Sequence, residues 1–131
     1  MFMLNELLIK ELSEQVGINT SDIQNIKDGE IYSTSEVKTN KKWIDAKPIY
    51  RKVFISTWGN INVSELNIDT MIDTRGMVSY TNGWHPLNAY ANANFNSLVQ
   101  YSTKEKNIQF YGNGYNNSQI ILILEYTKTT D

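Results

Sequence analysis

The chain has no cysteine, two prolines and a single histidine among its 131 residues. Without cysteine there is no disulfide, no thiolate metal site and no thiol nucleophile. One histidine, His85, is too few for a His-based transition-metal site. No apolar run reaches the ~18 residues of a membrane-spanning helix. Met1 to Val16 also lacks the basic start and small-residue cleavage site of a signal peptide. Charge is sparse: 20% of residues are charged, the net charge is −2 and the pI is about 5.4. A nucleic-acid binder needs a basic face, and this composition does not provide one. There is no Gly-x-Ser-x-Gly, phosphate-cradling loop or His-x-x-x-His pair. The expectation is therefore a non-enzyme with no catalytic residue, no cofactor and no metal, and with neither nucleic acid nor membrane as partner.

What fills the space is polar and uncharged. Sixteen residues are Asn, and Asn, Ser and Thr together make 37, alongside eight Tyr and three Trp. Asn favours turns and tolerates the left-handed backbone region, which suits a β protein with many tight connections. Tyr, Trp and Asn also line sugar-binding surfaces, because flat rings stack on apolar sugar faces and amides hydrogen-bond hydroxyls in pairs. An AT-rich genome, which raises Asn, Ile, Lys and Tyr codons together, is the plainer source of the Asn count. The length suffices to bury a core without staples.

The chain starts as a helix and continues as β. Leu4, Leu8, Leu12 and Val16 recur every four residues, with Glu6, Lys10, Glu11 and Glu14 between them and Gly17 placed as a terminator. Residues 1–28 thus read as an amphipathic helical segment for anchoring or oligomerisation, and 29–131 as a β domain. Such a helix is marginal alone in water and needs a packing partner: its own domain, further copies of itself or a larger protein. Glu30 to Ser33 and Glu36 to Lys38 read as short edge strands, and Thr39 to Lys42 as a loop. Ile49 to Trp58 is a long strand with Ile49, Arg51, Val53 and Ile55 on one face and Tyr50, Lys52, Phe54 and Ser56 on the other. Asp69 to Asp73 carries Met71 and Ile72 into Thr74-Arg75-Gly76, and the strand Met77 to Tyr80 ends in the turn Thr81-Asn82-Gly83. Asn82 to Asn96 lacks periodicity and reads as a long surface loop. Leu98 to Ser102 pairs with Asn107 to Tyr111, Gly112 to Ser118 is a tip, and Gln119 to Thr127 is a central strand buried on both faces. About eight short strands with polar turns predict an antiparallel β-sandwich of jelly-roll-like type.

One segment carries a resemblance. Trp43-Ile44-Asp45-Ala46-Lys47-Pro48-Ile49-Tyr50-Arg51-Lys52-Val53-Phe54 resembles a run in small β domains of bacteriophage virion proteins. These domains stand mostly at the C-terminal ends of tail fibres, baseplate proteins and head fibres. The resemblance continues through Ile72 to Val78 and resumes in Ile121 to Lys128, so that it covers roughly residues 30 to 131. It departs at Ala46, where the pattern usually has Gly; a left-handed Ala costs about 1–2 kcal/mol, so either the turn differs or the strain is tolerated. The resemblance implies a virion protein made in the host cytoplasm, trimeric, held on another virion component through its N-terminal helix, and displayed for host attachment. The resemblance does not name a ligand; the Tyr, Trp and Asn residues point to a host-surface ligand such as a cell-wall carbohydrate, and a structural adaptor without a host ligand is the other reading.

The candidate ligand residues are Trp84, His85, Asn88, Tyr90, Tyr111 and Tyr115, aromatic or polar groups on expected loops and tips. The competing role for these rings is pinning loops or filling subunit interfaces. Trp43 and Trp58 are expected in the core. Asp45, Asp69 and Asp73 are expected in turn roles, since their spacing is too common to indicate Ca²⁺.

Overall fold

The computed structural model describes residues 31–131; the expected helix over residues 1–28, and the boundary that follows it, lie outside the described residues. Nine strands are present among them: β1 Val37–Lys42, β2 Pro48–Thr57, β3 Ile61–Asn62, β4 Ile68–Tyr80, β5 Gly83–Pro86, β6 Tyr90–Asn92, β7 Phe95–Ser102, β8 Asn107–Asn113 and β9 Gln119–Lys128. They form two antiparallel sheets, a five-stranded one in the order β1-β2-β9-β4-β5 and a four-stranded one in the order β3-β8-β7-β6. The domain is mainly β, as its composition and turn spacing imply.

Alternation along the strands produces the core. In β9, Ile120, Leu122, Leu124 and Tyr126 all point to one side and are fully buried. Val78 of β4 and Val99, Ile108 and Phe110 of the second sheet join them in one cluster, with Val63, Leu66, Leu87 and Tyr115 from the connections. Each such aliphatic side chain contributes roughly 1.5–3 kcal/mol by leaving water. Trp58 packs against this cluster at 5.3 Å from both Phe110 and Tyr115, as expected; Trp43 is half-buried at its turn and outside the cluster.

Several sequence expectations are corrected. β9 is central, but its second face, with Ile121, Ile123 and Glu125, is only partly covered. Thr39 to Lys42 belongs to β1, because buried Thr39 donates its hydroxyl to Ile49 O (2.7 Å) and accepts Lys41 N–H (3.2 Å) where the register is irregular. The polar side chain replaces part of the ladder, so a bulged strand looks like a loop in sequence. Residues 31–36 form no strand among the described residues, although Val53 N–H donates to Ser33 O. Thr74-Arg75-Gly76 continues the strand within the 13-residue β4. Gly76 is there for closeness: a Cβ would stand 1.9 Å from Ile121 O on β9. The segment 82–96 is likewise not one loop, since it forms β5 and β6. The turn preceding it is as expected, with Tyr80 paired to Gly83 across Thr81-Asn82.

Candidate functional site

The outward side of the four-stranded sheet is set by simple alternation. In β7, Ser97 and Val99 point inward and are buried; in β8, Ile108 and Phe110 do the same. Asn96, Leu98 and Gln100 of β7 therefore face solvent beside Asn113, Tyr111 and Gln109 of β8, pair by pair in the register. Tyr90 of β6 pairs with Asn96 and extends this surface, 74% exposed. Leu98 and Tyr111 are each about half exposed (54% and 50%), which is unusual for an apolar pair amid amides.

These side chains are locked to one another. Gln109 Oε1 accepts from the Tyr111 hydroxyl (2.6 Å) and from Gln100 Nε2 (2.9 Å), and Gln109 Nε2 donates to Asn107 Oδ1 (3.0 Å). Tyr111 thus bonds a residue two positions along its own strand, which lays its ring along the sheet and leaves a face open. Asn96 and Asn113 both donate to the Ala93 carbonyl, at 3.3 and 3.2 Å. A shallow groove of about 340 Å³ runs between Tyr90, Leu98 and Tyr111, with Asn88 and Asn96 at its side. Rings and amides held in this way lose little freedom on binding.

Of the sequence candidates, only Tyr90 and Tyr111 supply exposed surface here. Asn88 borders the groove, but its amide is engaged internally: Nδ2 donates to Thr74 O (2.8 Å) and Oδ1 accepts Val99 N–H (2.6 Å), linking the sheets. Its left-handed φ of 59° explains Asn at that position. Tyr115 is 2% exposed, a correction to its expected place on a tip. The chain turns inward there: Ser118 N–H donates to Tyr115 O, and Trp58 N–H to Ser118 O, at 2.9 and 2.8 Å. His85 is beside it, with Nδ1 2.7 Å from the Tyr115 hydroxyl and its ring stacked at 3.7 Å on Tyr80. Burial pushes the Tyr115 hydroxyl pKa up, so it stays protonated within this aromatic box. His85, partly exposed, packs its ring between Tyr80 and Tyr115. Trp84 pairs with Ser79 on the outward side of the five-stranded sheet, across the molecule from Tyr111. Leu98, Gln100 and Gln109 were not anticipated, though the two-residue alternation of Phe95 to Ser102 and Asn107 to Asn113 carries that signal.

The segment bearing the virion resemblance lies elsewhere and has a structural role. Ala46 adopts φ 69°, so the left-handed turn is kept and the strain tolerated. Lys47 N–H donates to Asp45 Oδ1 (3.0 Å), while Lys47 Nζ reaches Asp69 (2.7 Å) and Lys128 O (3.2 Å). Tyr50 stacks on Tyr126 at 6.3 Å, and the Tyr126 hydroxyl donates to Glu36 (2.5 Å), which also holds Lys128 (2.6 Å). Burial, then Asp131, pushes the Tyr50 pKa to about 12; burial, then Glu36, raises that of Tyr126. On the outward face, Glu125 binds Arg51 (3.2 Å) and Arg75 (2.6 Å), and Arg75 also binds Asp73. Tyr32 covers the group, with the Arg51 guanidinium 4.5 Å from its ring and its hydroxyl accepting from Arg75 at 3.2 Å. Burial of Glu125 opposes its charge, yet Arg75 and then Arg51 outweigh this and hold its pKa below the usual value. Asp45, Asp69 and Asp73 are thus engaged by a turn or by cations, and among the described residues no acidic or histidine cluster has the arrangement of a metal site. Nor is any helix among them long and apolar enough to cross a membrane.

No protein-family model, curated protein or solved structure matches this chain. Chemically, the β6-β7-β8 face offers flat rings bordered by amides, with no charged side chain from the strands themselves.

Proposed function

We propose that this chain is a non-enzymatic bacteriophage virion protein whose jelly-roll-like β-sandwich binds a host-surface glycan through the outward face of β6, β7 and β8. The observation that carries the binding is the exposed Tyr90–Leu98–Tyr111 surface, locked by the Gln100–Gln109–Asn107 chain of amides. The virion setting rests on the resemblance of residues 30–131. In that setting the protein is a homotrimer held on another virion component by residues 1–28. Three such faces convert about millimolar single-site binding into firm attachment through avidity.

The structural adaptor without a host ligand is the second reading. It draws on the opposite side of the domain, where Ile55, Met77 and Trp84 are exposed on the five-stranded sheet in a manner suited to protein contact. Co-sedimentation with purified bacterial cell walls separates the two. Under the first reading the protein pellets with the walls, Tyr111→Ala stays in solution, and no sugar is released. Under the adaptor reading, wild type and variant both remain in solution with every wall tested.

A further inference from the structure

Residues 76–103 and 107–124 contain no Asp, Glu, Lys or Arg. These two runs build β5, β6, β7 and β8 entirely, together with most of β9. The charges nearest in sequence to the β7–β8 face are Lys104, Glu105 and Lys106, confined to the turn at one end of that hairpin. The face itself has three cross-strand rows: Asn96 with Asn113, Leu98 with Tyr111, and Gln100 with Gln109. Successive rows stand about 7 Å apart, two residues at strand rise. The apolar row is therefore flanked by amide rows on both sides along the strands.

The internal bonds decide what the amides still offer. Asn96 and Asn113 spend donors on Ala93 O and keep Oδ1 as acceptors; Gln100 spends one donor on Gln109 and keeps Oε1; Asn107 keeps Nδ2. Such mixed neutral donors and acceptors match hydroxyls, which both donate and accept. A phosphate or uronate polymer would find no cation on this face, among the described residues, to offset its desolvation. A protein partner would bury these amide rows against a surface required to pair every one of them.

We infer that the ligand of this face is an uncharged polysaccharide chain, with its ring faces on Tyr111, Leu98 and Tyr90 and its hydroxyls on Gln100, Asn96 and Asn113. The inference rests on the glycan-binding reading above and specifies the class of glycan. Binding of this kind is insensitive to salt, because no counterion is released.

Affinity electrophoresis of the full chain tests this in native gels containing dextran, soluble starch, galactomannan, polygalacturonate or polyphosphate. At least one of the three neutral polymers should retard the protein, with equal strength from low salt to about 0.5 M. Tyr111→Ala should weaken that retardation about tenfold or more. Trp84→Ala, on the opposite sheet, should leave it unchanged, and both variants should melt as wild type does. Retardation by the polyanions alone, fading with salt, overturns the assignment of ligand class while leaving surface binding in place. Retardation lost in Trp84→Ala but kept in Tyr111→Ala overturns the assignment of the face. Pelleting with cell walls but no retardation by any neutral polymer overturns this inference alone; failure of both assays overturns the glycan reading as well.

Discussion

Two regions of this domain solve the problem of a polar surface in opposite ways. Around β1, β2 and the end of β9, charged side chains are paired into networks: Glu36 with Lys128, Glu125 with Arg51 and Arg75, Lys47 with Asp69. Across β6, β7 and β8 there is no charge at all outside one turn, and amides and hydroxyls bond each other. These pairs in the charged region consume polar groups and hold strands together. The neutral region keeps apolar rings and spare hydrogen-bonding atoms exposed. The segment most recognisable in sequence, Trp43 to Phe54, therefore belongs to the scaffold, while the better candidate site carries no recognisable motif.

The comparison can be broken most severely at the strand contact that both regions depend on. Gly76→Ala places a methyl group against the Ile121 carbonyl, a clash that neither backbone can relieve cheaply. Chemical denaturation should show a loss of about 3 kcal/mol or more, at the upper end of overpacking costs. A loss under about 1 kcal/mol would mean that β4 and β9 do not approach as closely as described.

Within the charged region, Glu125→Gln takes the carboxylate away from both Arg51 and Arg75. It should cost about 2 kcal/mol near neutral pH, the scale of hydrogen bonds to charged groups. The pH dependence has a definite sign. Glu125 has a lowered pKa in the fold, so its stabilisation is present above the unfolded value near 4.5 and disappears as pH falls through the folded one. Acid titration of the melting temperature should be flatter in the variant than in wild type.

The alkaline limb tests the Tyr50–Tyr126 stack in the opposite direction. A phenol with a raised pKa stabilises the fold fully below the unfolded value near 10, and that stabilisation is lost as pH rises through about 12 for Tyr50. Wild type should lose stability over this window, and Tyr50→Phe should lose less of it. Equal loss in both would remove Tyr50 as a contributor.

A smaller, stabilising change is expected at the turn. Ala46→Gly relieves a left-handed alanine and should raise stability by about 1 kcal/mol, visible as a higher melting temperature. The smallest effect should be at Tyr111. Its replacement by Ala should leave stability within about 0.5 kcal/mol, since half of the ring is already exposed and its only bond is to a neighbour on the same strand. A large destabilisation would recast the neutral face as scaffold and erase the contrast between the regions.

Part of this architecture was legible in the residues. The alternation of Ile49, Arg51, Val53 and Ile55 against Tyr50, Lys52 and Phe54 is realised in β2, and the hairpin across residues 103–106 and the turn at Thr81-Asn82 form where their residues suggest. Local signals of this kind survive because strand period and turn geometry depend on neighbours in sequence. The site was legible only in fragments. Tyr90 and Tyr111 were recognised from their polar surroundings, but the same surroundings misplaced Tyr115, whose neighbours are Gly and Asn while its ring fills the core.

By itself, the sequence determined the β class, the absence of thiol chemistry and the strand periods, all of them consequences of residue type and local spacing, while it left the Ala46 turn open until the structure gave its φ of 69°. The tertiary structure alone decided which face of each strand meets water. It put Trp84 and Tyr111 on opposite sheets, drew His85 against the buried Tyr115, and aligned Leu98, Gln100 and Gln109 with Tyr111. The reason is that a strand has two equivalent sides, and only pairing register and sheet packing determine which of them is buried.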